Sequence, residues 1–251
     1  MQPPEPTSVG SAFGAGAVSR VVYQGGPVIG AVRVLPIYWG AAWSTAENTQ
    51  LAAQLDGFLT FLVTSTLMDM LAEYSTAARP ISRGARLASV RIPGSEPGDG
   101  AVVTDAQVQQ ALVDWAANGA IAAPTPNTLY FLYLPPGVVS VDQNGLSSCA
   151  QMCSYHGALG TIGYYAVIPY LNCPACMVPS GLFDTLTMCS SHEFCEAVTD
   201  PRLDGWKDPT NNNEIADLCQ NQTARINGFL LQAAWSNAQG ACAFSPLPRA
   251  T

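Results

Sequence analysis

Two histidines occur in this chain, His156 and His192, and the second heads the run His192-Glu193-Phe194-Cys195-Glu196. Residues four apart on a helix project from one face, so His192 and Glu196 can grip a single ion together. Glu193 is rotated about 100° from His192. From there it can reach a water beside the ion without joining the ligands. A divalent ion lowers the pKa of such a water, and an adjacent carboxylate can take its proton. Zinc accepts an imidazole nitrogen and carboxylate oxygens, although oxygen in place of a second imidazole weakens selection against other divalent ions. As a bare pattern, a His-Glu pair is commonplace on solvated helix faces. What sets this one apart is the acidic stretch that follows: Asp200, Asp208, Glu214 and Asp217 come soon after it in a chain with few charges.

A catalytic zinc usually has three protein ligands and an open position, so a further donor must come from outside the pair. Asp217, 25 residues beyond His192, is the first candidate, with Asp200, Glu214 and His156 left open. Asp200 also reads as the terminator of the helix, since Pro201 follows it. His156 lies in Cys153-Ser154-Tyr155-His156-Gly157. There it can steady an oxyanion, bind the metal, or simply be a buried ring satisfying backbone carbonyls. A calcium site from Glu193, Glu196, Asp200, Asp208 and Asp217 would use oxygen alone and leave His192 without a role. Calcium beside zinc stays open.

The rest of the composition narrows the class of protein. Apolar residues make up 48% of the 251 and charged residues only 11%, which allows a large core and argues against disorder. The net charge is −8 with no basic run, so nucleic acid and anionic membrane surfaces are excluded as partners. No apolar stretch is long enough to insert in a bilayer. Residues 1–16 are rich in Pro, Gly, Ser and Ala and read as a flexible segment from which any signal peptide is already gone. Residues 17–251 read as one domain. All eight cysteines lie between Cys149 and Cys242. Four disulfides, and hence an oxidising compartment, are favoured over a zinc held by Cys149, Cys153, His156, Cys173 and Cys176. Sequential pairing is the simplest expectation, with Cys219 to Cys242 closing the longest loop. Cys173-Pro174-Ala175-Cys176 reads as a structural bridge rather than a redox dithiol. Asn221-Gln222-Thr223 accepts a glycan only in a eukaryotic source.

The elements that must position these residues follow from pattern. Val18–Tyr23 and Val28–Tyr38, separated by Gln24-Gly25-Gly26-Pro27, suggest a hairpin. Ser44 and Glu47 form a capping-box pattern that opens a long buried helix, whose apolar positions recur from Leu51 to Leu71. Arg86–Ile92 reads as a strand and Pro93–Gly100 as a surface loop. Thr104 and Gln107 cap a second helix that ends at Gly119. Thr128–Leu134 and Gly163–Pro169 read as strands, Gly181–Val198 as the helix bearing His192, and Asn227–Trp235 as a final strand. The fold class is α/β (α+β), a mixed sheet backed by a long helix, with a separate active-site helix. The same order of elements occurs in zinc peptidases of the zincin type, where a downstream carboxylate often completes the ligand set at an interval like that of Asp217.

Four segments, Cys153-Ser154-Tyr155-His156-Gly157, Cys173-Pro174-Ala175-Cys176, Ser190 to Pro201, and Asn213 to Cys219, together resemble the phosphate-induced, EXORDIUM-like secreted family. The resemblance spans roughly Val32 to Cys242, with the motifs in the same order. Its plant members keep the His-Gly and Cys-x-x-Cys parts without the His-Glu part. Its microbial members carry His-Glu-x-x-Glu-Ala-x-Thr-Asp-Pro, which this chain has in full. The resemblance implies a secreted protein of the catalytically equipped branch. The expectation is a monomeric zinc metalloendopeptidase acting on protein or peptide substrates, with Glu193 and His156 catalytic and His192, Glu196 and Asp217 on the metal. The competing expectation is a non-catalytic signalling or wall-associated binding protein like the plant relatives.

Overall fold

The computed structural model describes residues 20–94, 101–161 and 163–248. The proposed N-terminal segment 1–16 and most of the Pro93–Gly100 loop lie outside them.

The fold is a mixed α/β arrangement centred on a six-stranded sheet. Ala31–Trp39 is flanked in parallel by Ser82–Arg86 and Val90–Ile92 on one side and by Thr128–Tyr133 on the other. Gly163–Ile168 continues the parallel run, and Tyr155–Leu159 closes it as an antiparallel edge. Four α-helices accompany the sheet among the described residues: α1 (Ala46–Leu62), α2 (Thr66–Leu71), α3 (Asp105–Ala117) and α4 (Leu182–Thr199). A strand covered on both faces needs apolar residues at every position, and Thr128-Leu129-Tyr130-Phe131-Leu132-Tyr133 is buried throughout. Alternate side chains then divide between two cores. Leu129, Phe131 and Tyr133 meet α1, α2 and α4, while Tyr130 and Leu132 meet Val108, Leu112 and Trp115 of α3.

Several expectations need correction. The first hairpin does not form. Val22–Tyr23 pairs with Trp206–Lys207 instead, and Ala31–Trp39 has both edges taken by parallel neighbours. The long helix begins one residue later than expected, capped by Thr45, whose hydroxyl accepts from the Asn48 amide. It also breaks after Leu62. The Thr64 and Ser65 hydroxyls donate back to the carbonyls of Thr60, Phe61 and Leu62, competing with the helical ladder, and α2 restarts after Ser65. Arg86–Ile92 is not one strand: Ser82–Arg86 ends where it was expected to begin, and after a break only Val90–Ile92 rejoins the sheet. The Asn227–Trp235 segment is divided between the hairpins Thr223–Ile226/Phe229–Gln232 and Ala234–Ser236/Ala241–Ala243. The Thr104–Gln107 capping box is present as expected.

Three disulfides form, and they are not sequential: Cys149–Cys173, Cys153–Cys176 and Cys219–Cys242. The last agrees with expectation in its partners, although Cys149–Cys173 spans one residue more. Cys189 and Cys195 are buried thiols on α4. Six residues along a helix is about 600° of rotation, so their side chains leave on different sides and cannot meet. Because Cys173 and Cys176 each bond to a distant partner, neither a Cys-x-x-Cys redox couple nor a thiolate zinc site exists here. The first two bridges tie the approach to the edge strand Tyr155–Leu159 to the approach to α4, each constraining the unfolded chain by about 3 kcal/mol in the loop-entropy account. Three disulfides fit a secreted protein. Among the described residues, no single helix is long and apolar enough to cross a membrane.

Candidate metal and catalytic site

α4 is wrapped on nearly every side, and its only acids past the first turn are Glu193 and Glu196, both 3% exposed. Buried carboxylates must find partners. One helical turn brings His192 Nε2 to 3.1 Å from Glu196 Oε2. The short 3-10 turn Asp217–Cys219 then delivers Asp217, whose Oδ1 lies 3.8 Å from the same ring nitrogen. Its backbone N–H donates to Glu196 Oε1 at 3.1 Å, leaving Oε2 turned toward His192. His192, Glu196 and Asp217 thus offer ligand atoms within 4.8 Å of one another. His192 and Asp217 border a cleft of about 410 Å³ that is also lined by Met152, Ser154, Met188 and Glu193, while Glu196 is buried beneath them. A hollow of about 580 Å³ beside α3, around Asp105 and Gln109, holds no histidine.

His156 reaches the site from the sheet. Its register partner across the edge strand is Ala166, which faces α4, so the imidazole faces α4 as well. Nδ1 lies 3.2 Å from Glu193 Oε2, and Nε2 lies 3.2 Å from the Asp200 carbonyl. Ser154, two residues earlier on the same side of the chain, donates from its hydroxyl to Glu193 Oε1 at 2.6 Å. Each Glu193 oxygen is therefore held by one donor. His156, Glu193 and Glu196 form a second cluster of possible ligands, sharing Glu196 with the first, but all three are buried.

Of the alternatives weighed for the third ligand, His156 stays close, its Nδ1 3.8 Å from Glu196 Oε2, whereas Asp200 and Glu214 lie elsewhere. Asp200 is fully buried. One of its oxygens accepts from the Gly205 N–H, and the other faces Lys207, the sole lysine of the chain, at 3.5 Å. Glu214 lies 3.5 Å from His156 Nε2, behind the cleft-lining groups. Asp208 accepts from the Thr210 N–H and hydroxyl. Asp200 and Asp208 join neither cluster, so the all-oxygen calcium set is not assembled.

Electrostatically the nest is short of cations. Burial pushes Glu196, Asp200 and Glu214 above the ordinary carboxylate range. Glu193 also suffers burial, but the His156 hydrogen bond and the nearby rings outweigh it and keep this carboxyl low and ionised. Burial likewise opposes charge on His156, yet Glu214, Glu193 and Glu196 outweigh it and hold the ring up to about 10. An imidazole beside two carboxylates is the donor chemistry that zinc accepts. The residues present fit such an ion.

The His156 shift carries a pH signature. Because the folded pKa lies above the ordinary 6.5, its stabilisation is complete below that value and is lost as pH rises toward 10. In chelated protein, the gap in Tm between the parent and His156→Gln is expected to be widest at about pH 6 and to shrink with rising pH. A gap independent of pH would contradict this placement of the ring.

Two participants escaped the sequence reading. Ser154 was detectable, since alternation along a strand puts it on the same side as His156. Gln232 was signalled only by being an amide in the apolar run Phe229 to Ala234; it is buried and touches His192 Nδ1 at 2.8 Å. No family model, curated protein or solved structure matches the chain.

Proposed function

We propose that this chain is a secreted zinc-dependent endopeptidase of zincin-like design, belonging with the microbial branch of the EXORDIUM-like family. The single observation that carries the reading is the convergence of His192, Glu196 and Asp217, two of which, His192 and Asp217, open onto a cleft that Glu193 also lines. His192 Nε2, Glu196 Oε2 and Asp217 Oδ1 would hold the ion. Zinc bound there supplies Lewis acidity toward a peptide carbonyl and makes a neighbouring water easier to deprotonate.

The chain's own groups do the remaining work. Glu193 is ionised and pinned at both oxygens, yet each oxygen keeps a free lone pair. It takes the proton of the attacking water and returns it to the departing amine. Ser154 and His156 hold that carboxylate in place. His156 is a positioning residue in this scheme, because its nitrogens are directed at Glu193 and the Asp200 carbonyl. The disulfides Cys149–Cys173 and Cys153–Cys176 keep Ser154 and His156 in register with α4, and their presence suits an extracellular location.

Chelation tests the reading directly. Purified protein is expected to cleave casein, to lose that activity when stripped of metal, and to regain it on adding zinc rather than calcium. Cleavage that persists after complete stripping would overturn the proposal. A protein that binds no zinc and cleaves nothing would favour the signalling or wall-binding alternative.

A further inference from the structure

Gln232 stands against His192 with an unexpected polarity. Its side-chain nitrogen lies 2.9 Å from the Ala216 carbonyl, an acceptor only, so this end of the amide must be the NH2 group. The same nitrogen lies 2.8 Å from His192 Nδ1. An amide nitrogen only donates, so against this amide Nδ1 accepts and the ring, which the surrounding carboxylates would otherwise favour as a cation, keeps its proton on Nε2, pointing at Glu196 3.1 Å away. A histidine that binds metal through one nitrogen normally donates its other N–H to an acceptor. Here the second nitrogen faces a donor. The backbone gives little room to escape this, because the Gln232 N–H is bonded to the Ser191 hydroxyl on α4 and the residue is 6% exposed.

We propose that Gln232 sets the zinc affinity of the site by holding His192 in the tautomer that keeps Nε2 protonated, so that loading requires its amide to turn over. The proposal rests on the zinc reading above. Loading would shift the proton to His192 Nδ1, from which the turned Gln232 carbonyl oxygen would accept a hydrogen bond, and the Ala216 carbonyl would give up its amide partner. Gln232 is thus a positioning residue that restrains binding, and a carboxylate in its place should release the restraint.

The test uses the full chain, with zinc as the probe, in three forms: parent, Gln232→Glu and Gln232→Met. Nitrogen NMR of the histidine rings in metal-free parent should show His192 protonated on Nε2 and bare on Nδ1, switching on zinc addition. Gln232→Glu should already carry the proton on Nδ1, and its zinc Kd should fall by about 10- to 100-fold. Gln232→Met removes the opposing donor without adding charge, and should also bind more tightly than the parent. Melting of the metal-free variants reports the lost Ala216 bond separately. A parent already protonated on Nδ1, or a Gln232→Met protein no tighter than the parent, would overturn the proposal. A parent with the Nε2 proton that takes up no zinc would fail differently, sinking the zinc reading and this restraint with it.

Discussion

Glu193→Gln is expected to lower kcat for peptide hydrolysis by about 100- to 10,000-fold, the range attributed to a positioned general base, while zinc content stays near that of the parent. The substitution keeps the shape of the side chain and removes its basicity. Its carbonyl oxygen can still accept from the Ser154 hydroxyl, but its NH2 would then face His156 Nδ1. That ring must in turn give up its Nδ1 proton, so some loss of stability accompanies the loss of rate. Glu193→Asp separates the two effects. It keeps a negative charge for His156 but withdraws it by one methylene, so it should melt closer to the parent and still turn over poorly. The measurement is steady-state kinetics on a fluorogenic peptide, with zinc content and melting recorded for each variant. Hydrolysis by Glu193→Gln at the parent's rate would exclude this mechanism.

The second large effect concerns the ion itself. His192→Ala should abolish zinc-dependent stabilisation as well as activity. At a zinc concentration one hundred times Kd, a ligand that binds only the folded state adds about 2.7 kcal/mol. For a chain of this size that corresponds to a rise in Tm of roughly 5–10 °C. The His192 side chain is 17% exposed, and Glu196 retains the Asp217 N–H when the ring is removed, so the metal-free variant should fold. Asp217→Asn is the milder companion, since its side chain is 32% exposed and its backbone contact to Glu196 survives. Thermal melting with and without zinc distinguishes parent from variant. An undiminished zinc shift in His192→Ala would place the ion elsewhere.

How far the site could be seen from residues alone depends on the range of each contact. His192 and Glu196 are one helical turn apart, and helix periodicity is local, so their pairing was legible. The stop at Asp200-Pro201 was legible for the same reason. Asp217 was only the first of several candidates until the chain was seen to turn back after Asp208 and Glu214. The grip of Ser154 and His156 on Glu193 depends on Tyr155–Leu159 joining the sheet as an antiparallel edge, a non-local event that no spacing along the chain encodes. Eight cysteines suggested four bridges, yet only three form because Cys189 and Cys195 stay buried thiols on α4, and spacing did not give the crossing by which Cys149 and Cys153 find Cys173 and Cys176. The supposed first hairpin illustrates the opposite error. A turn sequence between two β-rich runs is a local signal, and parallel neighbours on both sides of Ala31–Trp39 overrode it.

The most direct measurement is crystallographic: anomalous scattering at the zinc absorption edge from crystals of protein loaded with zinc. A single peak is expected at bonding distance, about 2.0–2.2 Å, from His192 Nε2, Glu196 and Asp217, at the rim of the cleft. A peak buried among His156, Glu193 and Glu196, or none at all in protein saturated with the metal, would contradict the account.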